Sequence, residues 1–295
     1  MPTLARASGR VRIGYQKTGA LVLVRQQKRL DATSLAVDWV EFNSGPPMLE
    51  ALNAGGVDFG ATGDTPPIFA QAAGTDLVYV GGQPISGDNE GIVVRADSSI
   101  RNLAGLKGKH LAFTKGSSAH YVVVKALATV GLTPADVQPV YLQPADAGAA
   151  FRAGAVDAWS IWDPFFAIIG LETGTRVLTT GVGVAPSNSF FLARRRFAEQ
   201  QPDTVRSLLV AINDAAGWAR AHQEDLAQTM SDVTGVPLPA QRIAAPRGVY
   251  AVQPMDAAII ARQQAVADTF AAMRIIPSRV DVRAAVWRPD GGAEL

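Results

Sequence analysis

One pattern in this chain occurs twice, and it restricts the fold more than any other feature. Residues 51–59 read Ala-Leu-Asn-Ala-Gly-Gly-Val-Asp-Phe, and residues 150–158 read Ala-Phe-Arg-Ala-Gly-Ala-Val-Asp-Ala. About a hundred positions separate Asp58 from Asp157, the period of a duplicated supersecondary unit. A second aspartate follows each in the same register, Asp64 and Asp163, with a proline shortly after it. Upstream of each copy a short apolar run enters a small polar loop. Residues 11–15 precede Gln16-Lys17-Thr18-Gly19, and residues 111–113 precede Thr114-Lys115-Gly116-Ser117-Ser118.

Hydrophobic periodicity fills in both copies alike. In the first, strands are expected at 11–15, 37–42 and 57–61, with helices at 21–29 and 47–54. In the second, strands are expected at 111–113, 137–142 and 157–161, with helices at 120–130 and 145–153. Strands alternating with helices imply βαβ units and a mainly parallel sheet flanked by helices. Two such units imply an α/β protein of two lobes. The segments 93–95 and 190–193 read as strands at the edges of the second repeat and as crossovers between the lobes. The expected division is therefore 1–92 plus 194–295 for lobe I and 93–193 for lobe II, with a ligand cleft between them. The last third is largely helical, with long helices at 202–222 and 255–273, and is expected to pack on the first lobe.

Composition then removes whole classes of function. The 27 Lys and Arg against 26 Asp and Glu leave a formal charge of +1, so no broad basic surface exists for nucleic acid. With no cysteine, disulfides, thiolate metal sites and Cys nucleophiles are excluded. His110, His120 and His222 are dispersed and no HExxH occurs, so no metal site is expected. The chain lacks a GxxxxGK[ST] phosphate loop and a GxSxG elbow, which removes ATP hydrolysis and a serine-hydrolase triad. No apolar run approaches the ~20 residues of a membrane span. The segment Met1–Ala7 lacks the apolar core of an export signal, leaving a cytoplasmic protein or a mature form whose signal has been removed.

In parallel α/β sheets, ligands bind beyond the carboxyl ends of strands, where helix N-termini present free N–H groups. Four loops fall at such points: Gln16–Gly19, Thr62–Pro67, Lys115–Ser118 and Ile161–Pro164. Taken singly, Thr65-Pro66-Pro67 is only a capped helix start and Ser117-Ser118 a pair of caps. Their recurrence in register in both copies is what points to one shared anion site. Trp162 is either a core aromatic or an apolar wall for an alkyl tail. Asp64 and Asp163 belong to different copies and each precedes a helix, so helix capping outweighs acid–base catalysis.

The strings Gly14-Tyr15-Gln16-Lys17, Trp39-Val40-Glu41-Phe42, Thr62-Gly63-Asp64, Pro66-Pro67-Ile68-Phe69-Ala70-Gln71, Lys115-Gly116-Ser117-Ser118 and Trp162-Asp163-Pro164 resemble the aliphatic sulfonate-binding proteins of bacterial ABC importers. The resemblance runs from about residue 11 to Trp287. It implies a type II periplasmic binding protein fold, a non-enzymatic receptor, a periplasmic location, a monomer, an alkanesulfonate ligand, a membrane permease as partner, and no cofactor. Alternatives on the same scaffold are a taurine or nitrate receptor, or an enzyme acting on a small anionic or pyrimidine-precursor substrate. The enzymes on this scaffold rely on a cysteine, which this chain lacks. A sulfonate offers three acceptor oxygens and no donor, which suits a cleft of neutral donors. The residues expected to bind it are Gln16, Gly63, Asp64, Thr65, Gly116, Ser117, Ser118, Trp162 and Asn188, with Lys17 and Lys115 at the rim.

Overall fold

The computed structural model describes residues 10–289 apart from 32, 34, 249 and 250. The N-terminal segment considered for an export signal lies outside the described residues. Lobe I begins with β1 (Val11–Tyr15), α1 (Ala20–Gln26), β2 (Val37–Glu41), α2 (Gly45–Asn53), β3 (Phe59–Gly63), α3 (Thr65–Ala72) and β4 (Leu77–Ile85). The chain then crosses to lobe II, which holds β5 (Glu90–Arg95), β6 (His110–Phe113), α4 (Ser118–Ala128), β7 (Gln138–Tyr141), α5 (Pro144–Arg152), β8 (Ala158–Trp162), α6 (Phe165–Gly170) and β9 (Thr175–Thr180). It returns through β10 (Ser187–Arg194) and ends in α7 (Arg195–Gln200), α8 (Pro202–Ala221), α9 (Gln223–Thr234), α10 (Leu238–Arg247) and α11 (Ala257–Ala272).

The two sheets have matching orders, β2-β1-β3-β10-β4 and β7-β6-β8-β5-β9. In each, the first three strands pair in parallel, and one strand runs against both neighbours: β10 against β3 and β4, and β5 against β8 and β9. Four of five strands thus run one way, and the odd one is the strand that has just crossed from the other lobe. β5 and β10 sit inside their sheets rather than at edges, and β10 belongs to the first sheet. The sheet crossings fall at 86–89 and 181–186, a few residues before the division expected at 92 and 193, which cuts through both strands.

The duplicated motif has a structural purpose visible in the hydrogen bonds. The Asp58 N–H donates to the Arg12 carbonyl (2.9 Å) while its carboxylate accepts from the Arg12 N–H (3.0 Å). Asp157 repeats this with His110, donating at 2.9 Å and accepting at 2.9 Å. Asp58 therefore locks the loop entering β3 to β1, and Asp157 locks the loop entering β8 to β6. Gly55 and Gly154 precede them with φ of 77° and 72°, a turn that residues with a Cβ rarely adopt.

One face of the first sheet packs under α1, α8 and α9, through Leu21, Leu23, Phe191, Leu208, Ile212 and Met230. The opposite face carries Tyr79 and Phe190 and is covered by α11 through Ile259 and Phe270. That second core continues into lobe II. Phe69 and Phe270 lie 5.1 Å apart, and His120 of α4 lies 5.1 Å from Phe270 and 4.9 Å from Phe113. The lobes are thus joined behind the cleft by a seam of rings. Burial pushes the His120 imidazole down to about 4, helped by Lys115, so it sits there as a neutral ring.

Candidate functional site

A cleft enclosing about 1180 Å³ of space open to solvent lies between the lobes. Its inner corner is formed where α2, α3 and α4 begin, with Gly45, Thr62, Gly63, Pro66, Ser117 and Ser118 on its walls. Ser118 of lobe II stands against Gly63 of lobe I: a Cβ at Gly63 would lie 3.3 Å from that of Ser118. Gly45 lets the α2 terminus approach β3, since a Cβ there would lie 2.0 Å from Thr62 Oγ1. The corner is short of formal positive charge. Lys17 is at the rim, half-exposed and 3.8 Å from Glu41.

The donors at this corner are neutral. First-turn N–H groups of a helix have no intrahelical acceptor, although Pro46, Pro47, Pro66 and Pro67 remove theirs. This leaves Gly45 as first-turn donor of α2, and Ser118 and Ala119 at α4, the Thr65 N–H of α3 being spent on the Asp64 carboxylate. Thr62 supplies a more specific signal. The residue is buried at 3% exposure, it lines the cleft, and its Oγ1 has no hydrogen-bond partner among the described residues. Leaving a buried hydroxyl unpaired costs about 1–3 kcal/mol, which an acceptor in the cleft would recover.

Of the expected residues, Gln16, Gly63, Ser117, Ser118 and Trp162 line the cleft. Gln16 already donates one amide N–H to the Ala61 carbonyl at 3.3 Å. Ser117 spends its hydroxyl on the Thr114 carbonyl at 2.7 Å, so its role is to shape the loop. Asp64, Thr65, Gly116 and Asn188 are not on the cleft walls. Asp64 and Thr65 are fully buried and bonded to each other at 2.8 Å. Gly116 is buried, with the position of a Cβ 3.4 Å from the Phe69 ring. Asn188 is fully buried, and its neighbour Ser189 takes the cleft position. Lys115 lies over the Tyr141 ring at 5.5 Å and is not on the cleft walls.

The sequence reading missed Thr62, the α2 terminus and the entire outer wall. That wall comes from the helical third: Met230 of α9, and Gln241, Ala244, Ala245 and Arg247 of α10, facing Gln83, Ile85, Trp162, Asp163 and Pro164. The sequence signal for α2 was present in Ser44-Gly45-Pro46-Pro47, a serine N-cap followed by prolines. No local signal marks Met230 or Arg247.

Two contacts bridge the lobes at the rims. Ser44 Oγ donates to Gln143 Oε1 at 2.9 Å. Arg247 Nη1 lies 3.5 Å from Asp163 Oδ2, and its guanidinium lies 5.7 Å from the Phe166 ring centroid. Asp163 Oδ1 also accepts from the Ala167 N–H at 2.9 Å, capping α6. Burial raises the Asp163 carboxyl to about 6, with Arg247 and the Ala167 N–H opposing. Asp64, fully enclosed, is raised further by burial to about 7 against its bonds from Thr65.

The NMT1/THI5-like family matches residues 31–226. A putative aliphatic sulfonates-binding protein of Escherichia coli K12 is 43% identical over 285 residues, spanning 95% of this chain and 89% of that protein. Among solved structures, the alkanesulfonate-binding protein SsuA from Xanthomonas axonopodis pv. citri, bound to MOPS, superposes with a TM-score of 0.90 at 43% identity. That match covers 95% of this chain and 98% of the other. The periplasmic aliphatic sulphonate binding protein SsuA from Escherichia coli gives 0.87 at 41% identity, covering 97% and 95%. The chain belongs to the NMT1/THI5-like family and groups within it with the periplasmic aliphatic sulfonate-binding proteins.

Proposed function

We propose that this protein is the periplasmic receptor of an ABC importer, capturing an alkanesulfonate in the cleft and carrying it to a membrane permease. It acts as a monomer and binds without catalysis. The sulfonate oxygens occupy the inner corner, taking hydrogen bonds from the Thr62 hydroxyl, the Ser118 hydroxyl and N–H, and the first-turn N–H groups of α2 and α4. The observation that carries this reading is the buried, unpartnered Thr62 hydroxyl at a corner made by both lobes. A permanent anion with only acceptor atoms is the ligand such a corner satisfies best.

The two lobes are lobe I, 10–85 with 187–289, and lobe II, 90–180, hinged at the two crossovers. The bridged rims correspond to the closed form. Opening breaks Ser44–Gln143 and Arg247–Asp163 while the ring seam behind the cleft stays packed. A thermal-shift panel with methanesulfonate, longer alkanesulfonates, taurine, nitrate and a thiamin pyrimidine precursor tests the assignment. Sulfonates should raise Tm and be recovered unchanged, because a ligand bound only to the folded state must stabilise it. A pyrimidine precursor that is consumed, or nitrate as the sole stabiliser, would overturn it.

A further inference from the structure

The outer part of the cleft is a chamber with buried walls. Leu21, Phe191, Met230 and Ala245 line it, yet they are only 2%, 1%, 2% and 3% exposed. Side chains so buried border an inner recess rather than open surface. Those four belong to the apolar core of lobe I. The same hairpin, α9 with α10, touches lobe II: Ala240 and Ala244 pack against Ala167 of α6. The recess is therefore walled by a helix pair whose other side bears on the opposite lobe.

We propose that α9 and α10 form the size filter of the site: the sulfonate tail enters the recess beneath them, and the volumes at Met230 and Ala245 set the largest tail admitted. This rests on the sulfonate reading above. Leu21, Ile85, Phe191, Met230, Ala244 and Ala245 give the recess apolar surface for an alkyl or single-ring tail, beside the polar Gln83, Gln241, Asp163 and Arg247 of the same wall. A tail that fits leaves α10 seated on α6. A tail that is too large must lift α10 and with it the Arg247–Asp163 bridge, so tail size is read as failure to close.

Calorimetry with methanesulfonate, hexanesulfonate and 3-cyclohexylpropanesulfonate on wild type, Ala245→Val and Met230→Ala tests this. Methanesulfonate has no tail to place, so its affinity should stay within roughly threefold in both variants. Ala245→Val should weaken hexanesulfonate at least roughly tenfold, and Met230→Ala should improve the cyclohexyl ligand relative to methanesulfonate by a similar factor. Equal changes for all three ligands, or none, would overturn the filter while leaving the sulfonate reading intact. If wild type binds none of them, both readings fall. Should Ala245→Val fail to fold, Met230→Ala decides alone: a shifted cyclohexyl-to-methyl ratio supports the filter, and an unchanged ratio overturns it.

Discussion

The two lobes carry the same backbone plan and put opposite chemistry on it. Asp58 and Asp157 do the same backbone work, but Asp58 is enclosed by Arg12 at 2.8 Å and Arg194 at 3.3 Å, whereas Asp157 has the His110 ring at 3.6 Å and no arginine among the described residues. The next pair diverges further. Asp163 stands on the cleft wall, caps α6 and meets a cation from the other lobe. Asp64 turns into the protein, accepts from Thr65, and leaves Oδ2 without a partner among the described residues. Duplication has thus preserved where the chain turns, and hence where helix termini aim, while side chains were free to become core in one lobe and rim in the other.

The largest expected effect separates the two aspartates by pH. The folded-state value of Asp64, about 7, lies above the ordinary 3.8. The folded protein therefore holds a proton that the unfolded chain has released, and stability from this group is complete below the ordinary value. It declines as pH rises through the window up to about 7 and stays lost above it, a change of up to about 4 kcal/mol. Asp64→Asn should gain Tm relative to wild type as pH rises from about 4 to 8 and should keep the cleft intact. Asp163, raised by burial to about 6, follows the same sign over a window that closes earlier, so Asp163→Asn should gain Tm only up to about pH 6. By removing the charge partner of Arg247 across the cleft it should also weaken ligand binding. If both substitutions give the same pH profile and the same binding, the contrast between the lobes is wrong.

Next comes Gly45→Ala, whose Cβ has no room beside Thr62 Oγ1 and Pro66. Overpacking there should cost up to about 3 kcal/mol of stability, read as a fall in Tm, and should weaken binding as the α2 terminus is displaced, read as Kd. Gly63→Ala meets Ser118 of the other lobe at the milder 3.3 Å and should cost less. Single donors follow. Thr62→Ala and Ser118→Ala should each weaken sulfonate binding by ~1.5–3 kcal/mol. Ser117→Ala should be milder for binding, because its hydroxyl already serves Thr114. Smallest are Lys17→Met and Lys115→Met, solvent-screened and expected to cost well under ~1 kcal/mol.

Much of the fold was legible because its signals are local. The repeated Ala-Gly-x-Val-Asp run, the alternation in 37–41 and the helical spacing from Val205 to Ala216 each reflect a turn or a face that neighbours in sequence define. The sites of error are equally physical. On β10, Phe190 and Phe191 are both buried, so the strand shows no inside–outside alternation, and nothing in the sequence told Asn188 from Ser189. Around Asp64 the backbone loop was correctly located, but Gly63 and Pro66 face the cleft while the residues between them face the core. Met230, Ala245 and Arg247 reach the site from helices far along the chain, through packing that no local pattern encodes. Lys115, expected at the rim, rests on Tyr141 and is not on the cleft walls.

The central claim is that neutral donors from both lobes hold the anion at the inner corner. The most direct test is a crystal structure of the protein with a short alkanesulfonate. The sulfonate oxygens should lie within hydrogen-bonding distance of Thr62 Oγ1 and of the Ser118 N–H and hydroxyl, with Lys17 still beside Glu41 and Lys115 still over Tyr141. A sulfonate paired with either lysine, or seated outside the corner with Thr62 Oγ1 still unpartnered, would contradict the account.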